Sequence, residues 1–153
     1  MVMGLPLHPL AVHFAVAVGM VAPVAALVAV LLPRFRTWLG WGLPALAVLG
    51  AIVLRLTVSF GDMLEDSDPA YDTPAVDTHS DWGELAGNAG TVLAVAAVLL
   101  WLTTSPTARR RWTSRWPSWL TLLAQVATAL AAIATLVLTV LAGHTGASAV
   151  WGG

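Results

Sequence analysis

The chain contains no cysteine and no lysine, and only 10% of its 153 residues are charged. Without cysteine it can form no disulfide, thiolate metal site or iron–sulfur cluster within itself. Without lysine it has no phosphate-cradling glycine loop followed by that residue, and no nucleophile–base–orienter set stands out, so an autonomous enzyme is not expected. A soluble domain carries about a quarter charged residues; a chain that is 58% hydrophobic with so little charge has the composition of a membrane protein.

Four apolar runs carry that composition: roughly Ala11–Leu32, Leu39–Phe60, Leu85–Leu102 and Trp119–Ala142. Each is long enough to cross about 30 Å of hydrocarbon at about 1.5 Å per helical residue. They are too long and too uniformly apolar for barrel strands, which alternate. The expectation is an all-α integral membrane four-helix bundle occupying residues 1–153 as one domain. Its helices are placed at about 9–32, 38–60, 82–104 and 117–142, with an acidic loop over 61–81. The first run lacks a positive flank and exceeds the usual signal-peptide core, so it reads as a retained helix.

The charges are sorted by connection. Arg34 and Arg36 follow the first run; Arg109, Arg110, Arg111 and Arg115 follow the third; all eight acids lie between Asp62 and Glu84. Short arginine-rich connections stay on the cytoplasmic side, which predicts extracytoplasmic termini and an extracytoplasmic acidic loop in a bacterial cytoplasmic membrane. The arginines read as anchors on anionic lipid rather than a nucleic-acid patch. Trp38, Trp41, Trp112, Trp116 and Trp119 flank the same boundary, where amphipathic rings prefer to sit; Trp82 and Trp151 mark the opposite one.

This topology puts every histidine at the acidic end. His8 and His13 open the first run, His79 precedes the third and His144 follows the fourth. Histidine is the side chain best suited to ligating a metal or haem, or to moving protons, near neutral pH. His13, about one turn inside an apolar run, is the sharpest candidate, because an ionisable group there is costly and usually turns inward. His8 lies about 140° from it on a continuous helix; if Pro9 starts the helix, His8 can fold back from the incoming loop. His79 sits among Asp77 and Asp81, a favourable setting for a cation. His144 reads equally as a ligand or as a helix C-terminal charge. Arg55 is the one arginine outside the basic connections, and Ser59 and Asp62 follow it on the same helical face. Pairing with Asp62 is the first expectation, and an anion such as a haem propionate the second.

Three readings follow. In the first, haem b is held by His13 with His79 or His144, Arg55 meets a propionate, and Gly87 or Gly90 makes room for the macrocycle. In the second, Zn²⁺ or Cu²⁺ is held by ligands drawn from His8, His13, His79, His144 and Asp62. In the third, no cofactor binds and the histidines tie helix ends together in a structural or assembly subunit, with Gly83 and Gly87 open to a partner helix. The bilayer is the first partner in each; a membrane redox partner or a homo-oligomer is the next. Two finer expectations are a capping box at Asp81 and Glu84 that starts the third helix, and an inward seam of Thr121, Gln125, Thr128, Thr135 and Thr139 on the fourth.

The segment His8-Pro9-Leu10-Ala11-Val12-His13-Phe14 resembles the opening HPLxVHF motif of a bacterial membrane family known as domain of unknown function 2231. Gly61-Asp62 at the end of the second helix, His79 before the third, and Gly143-His144-Thr145-Gly146 are similar to further features of that family; its proline after the phenylalanine is Ala15 here. The resemblance implies a four-helix integral membrane protein, sometimes associated with redox systems, and no established reaction.

Overall fold

In the computed structural model, which describes residues 7–151, the chain is all-helical among those residues. The elements are α1 (Leu7–Leu31), α2 (Pro33–Leu39), α3 (Gly42–Glu65), α4 (Pro74–Thr104), the short α5 (Pro106–Ala108) leading into a π-turn over Arg109–Thr113, and α6 (Trp119–Trp151). α1, α3, α4 and α6 are each long and apolar enough to cross a membrane. They pack as a four-membered ring: α1 lies against α3 and α6, α4 lies against α3 and α6, and α1 and α4 face each other across the diagonal with little contact.

Between lipid tails the hydrophobic effect gives helices no reason to associate, so close packing of small residues holds them together. Ala26, Ala29, Ala47, Ala97 and Ala132 are almost completely buried, with Leu43, Leu93 and Leu100 filling the gaps between them. Gly50 brings α3 close to α1: a Cβ there would stand 3.3 Å from that of Ala22. Leu54 wedges between α1 and α4. Its two methyls approach the positions that a Cβ would take on Gly19 and Gly90, at 3.3 and 2.8 Å. Most of the large apolar side chains, such as Val24, Ile52, Val95, Leu130 and Val137, point outward. That is the arrangement expected where the surroundings are hydrocarbon rather than water.

At the arginine end the connections are helical. The α1–α2 corner is fixed by Arg36, which donates to the Ala29 carbonyl at 3.1 Å and so satisfies an acceptor in the last turn of α1. Gly40, at φ +54°, makes the turn into α3, a left-handed conformation that suits glycine. Thr113 is buried and donates to the Leu102 carbonyl at 2.8 Å, tying the π-turn back to α4. The tryptophans Trp38, Trp41, Trp112, Trp116 and Trp119 are exposed around this end.

At the acidic end the helices run further than composition suggested. α4 begins at Pro74, with Thr73 as its cap accepting from the Val76 N–H at 3.3 Å and Asp77 in its first turn. Proline at the first position, a capping hydroxyl before it and an early acid are all helix-start features. Asp81 and Glu84 therefore lie inside the helix, and the expected capping box is not formed. α3 likewise continues to Glu65, so the expected loop 61–81 shrinks to residues 66–73, which include a single 3-10 turn. α6 runs to Trp151 through Gly143, His144 and Gly146, so His144 does not cap a helix end. α1 begins at Leu7, which places His8 in the helix and not in an incoming loop.

The polar seam of α6 does face inward. Thr128 and Thr135 are buried and donate to the Ala124 and Ala131 carbonyls of their own helix at 2.7 and 2.8 Å. Thr139 departs from this habit: its hydroxyl is buried without a hydrogen-bond partner, turned toward Gly19 of α1. Gly83 and Gly87, expected to be open to a partner helix, instead face Val58 and Arg55 of α3 within the same chain.

Candidate functional site: a histidine clasp at the acidic end

Two of the four histidines meet. His8, at the start of α1, directs Nδ1 to the Thr57 carbonyl of α3 at 3.0 Å. His79, near the start of α4, directs Nδ1 to the Ala142 carbonyl of α6 at 2.9 Å. A carbonyl oxygen can only accept, so in each ring Nδ1 carries the proton and donates it. The two imidazoles then touch across the α1/α4 diagonal, edge to face, with centroids 5.9 Å apart and planes at 79°.

The same local device is used twice. In a helix the carbonyl of residue i already accepts from the N–H of residue i+4, so a second donor must approach beside residue i+4. For Thr57 that residue is Gly61; for Ala142 it is Gly146. A Cβ on Gly61 would stand 3.2 Å from His8 Nδ1 and Cε1. A Cβ on Gly146 would stand 2.9 and 2.8 Å from the same atoms of His79. Each imidazole thus occupies the volume that a side chain at i+4 would fill. His8 fastens the pair α1 and α3, His79 fastens α4 and α6, and the ring contact joins the two pairs.

The other histidines do not join this arrangement. His13 and His144 are exposed, whereas His8 and His79 are half-buried. The five-residue spacing on one continuous helix explains the first pair: His8 turns inward, so His13 turns out. The sharpest candidate by sequence is thus not the one inside the bundle. His8 lies before the apolar span Ala11–Leu31. Burial pushes its pKa below the ordinary 6.5, and proximity to His79 pushes the same way; the Thr57 carbonyl and Asp62 oppose them. The net direction favours the neutral ring.

Arg55 also departs from expectation. Its Nη2 donates to Asn88 Oδ1 of α4 at 2.8 Å instead of pairing with Asp62. Its side chain lies along Gly87, with Cδ 3.2 Å from where a Cβ would be. Asp62 shares with Arg55 a cleft between α3 and α4, described below.

For haem, the expected ligands His13 and His144 stand exposed, His79 alone of that set lies inside the bundle with Nδ1 on the Ala142 carbonyl, and the glycines meant to admit the macrocycle are taken up by α3: Gly90 by Leu54 and Gly87 by Arg55. The residues do not fit that group in this arrangement. For a metal ion, no group of three or more His, Cys, Asp or Glu side chains among the described residues is placed to hold one. What is gathered is the pair His8 and His79, each with Nδ1 engaged and Nε2 not used by those bonds. No family model, curated protein or solved structure matches the chain, so its functional reading rests on the residues themselves.

Proposed function

We propose that this chain is a small structural or assembly subunit of a bacterial cytoplasmic membrane, with both termini and the acidic end outside, and with its outer end closed by the His8–His79 clasp. The orientation rests on the arginine and acid distribution. The observation that carries the role is the doubled device: two histidines, two helix carbonyls and two glycines at i+4 serve interhelical fastening completely, with no ligand needed to explain any of them. The spans supply their lipid contact through outward valines and leucines.

One observation favours a second reading, in which the pair takes a single divalent ion such as Zn²⁺ or Cu²⁺. Metal-ligating histidines characteristically donate their other ring N–H to a carbonyl or carboxylate, which fixes the tautomer. Both clasp histidines do so. Two imidazoles leave the remaining positions of a tetrahedral ion to water, which makes this the weaker reading. The haem reading has the least support, because its ligands are not assembled.

An optical spectrum and elemental analysis of protein purified from cells supplied with haem and zinc separate these readings. The structural role predicts less than about one-tenth equivalent of either, an occupancy too low for a site of the usual zinc affinity. Stoichiometric metal that disappears in His8→Ala would establish the second reading, and a haem spectrum would displace both.

A further inference from the structure

The cleft between α3 and α4 lies outside the clasp, and its charges are arranged in a definite order. Its volume is about 510 Å³, and Arg55, Ser59 and Asp62 of α3 face Ser80, Asp81 and Glu84 of α4 across it. Counting from the arginine end, Asp62 lies twenty residues along α3 from Gly42, and Glu84 lies twenty residues back along α4 from Thr104. Twenty residues span about 30 Å, the hydrocarbon thickness, so the carboxylates mark the level at which the bilayer gives way to headgroups. Arg55 is seven residues below Asp62, about 10 Å along the backbone, but its guanidinium is held at Asn88, one turn of α4 and so about 6 Å below Glu84.

A guanidinium at that depth on the exposed side of a bundle is costly unless it reaches an anion or the interface. Arg55 has five N–H donors to offer. Among the described residues Asn88 is its hydrogen-bonded partner and no carboxylate is within ion-pair distance. Opposite charges therefore line one cleft without closing on each other. The cation lies toward the membrane interior and the carboxylates toward water. Ser80 is already engaged, donating to Glu65 at 3.0 Å.

We propose that this cleft seats the headgroup of an aminophospholipid, with its phosphate on Arg55 and its ammonium among Asp62, Asp81 and Glu84. In a phospholipid the phosphate is the deeper charge and the amine the outer one, which is the reverse complement of the order in the cleft. The fit is a zwitterion rather than an anion. A glycerol headgroup would meet Arg55 with its phosphate but bring only neutral hydroxyl donors to three carboxylates, and a choline headgroup offers no N–H to them. This inference depends on the helices spanning a bilayer and not on the role of the histidines.

The test is native mass spectrometry of the full chain, released from micelles containing equal amounts of phosphatidylethanolamine, phosphatidylcholine and phosphatidylglycerol. Phosphatidylethanolamine is expected on the protein at roughly tenfold the level of either competitor, the ratio corresponding to one charge-assisted hydrogen bond gained. Arg55→Gln should abolish the retention. Asp81→Asn combined with Glu84→Gln changes only exposed side chains, and should move the preference from phosphatidylethanolamine to phosphatidylglycerol. Equal retention of the three lipids by the native chain, or an unchanged preference in the Asp81/Glu84 variant, would overturn the proposal.

Discussion

A methyl group added at Gly146 should destabilise the bundle, while the same methyl at Gly143, three residues earlier on the same helix, should not. Both glycines lie within α6, so helix propensity alone favours alanine at each by up to about 1 kcal/mol. The environments decide the sign. Around Gly143 a Cβ would meet nothing within 4 Å, so the propensity gain should stand and the melting temperature in detergent should hold or rise. At Gly146 the Cβ would sit 2.8 Å from Cε1 of His79, in a rigid ring already bonded to the Ala142 carbonyl. The ring cannot bend away as a long aliphatic chain could. It must leave the carbonyl, losing a bond worth about 1 kcal/mol and adding an overpacking cost of about 1–3 kcal/mol. Thermal melts of Gly143→Ala and Gly146→Ala, compared with the parent, check this directly. A fall for Gly143→Ala as large as that for Gly146→Ala would mean that glycine itself, and not the imidazole beside it, matters at this end.

The second large effect is expected at Gly90, in the middle of the packed layer formed by α1, α3 and α4. A Cβ there would lie 2.8 Å from Cδ1 of Leu54, whose other methyl is already held against Gly19. Leu54 is flexible in isolation, but α1 on one side and α4 on the other block its alternatives. Gly90→Ala should therefore cost about 1–3 kcal/mol. The diagnostic is the double variant. Leu54→Ala alone should cost about 2–5 kcal/mol as a large-to-small core change, yet in that background Gly90→Ala should be nearly free, because the colliding methyl is gone. A double-mutant cycle read from thermal unfolding would show strong non-additivity. Simple addition of the two penalties would place the strain elsewhere.

These two positions also show where sequence reading stops. The four spans, the inward threonine seam and the gathering of all four histidines at the acidic end follow from composition, length and charge order. Rotation of each helix about its axis does not. α1 is apolar on nearly every face, so its hydrophobic pattern does not say whether His8 or His13 turns inward. The choice is made by α3, where Gly61 opens a seat beside the Thr57 carbonyl. The matching seat at Gly146 was present in the sequence as part of a glycine-rich ending, but its meaning depends on a carbonyl four residues earlier and on a histidine more than sixty residues away. No internal repeat signals the duplication, because the two histidine-to-glycine separations differ: 53 residues from His8 to Gly61 and 67 from His79 to Gly146.

Helix ends at the acidic side differ from the compositional expectation for another reason. Polar composition over residues 61–81 suggested a loop, yet Thr73 and Pro74 supply a complete helix start. The next turns of α4 carry Asp77 and Asp81, both exposed. Arg55 likewise had a local partner in Asp62 by spacing, but Gly87 on α4 lets its side chain lie across the neighbouring helix to Asn88. At Arg55 a small residue on another helix outweighed the nearer polar candidate.

The account turns on which histidines hold the bundle and by which nitrogen. Nitrogen-15 spectra of the imidazoles, in the full chain labelled at histidine and held in micelles at about pH 8, where an ordinary imidazole is neutral, address both points. The rings of His8 and His79 should appear as the Nδ1–H tautomer with slowly exchanging protons, and His8→Ala and His79→Ala should each remove one of those signals. His13→Ala and His144→Ala should leave both in place. A ring of His8 or His79 in the Nε2–H form, or loss of either ring's Nδ1–H signal in the His13→Ala or His144→Ala chain, would contradict the clasp.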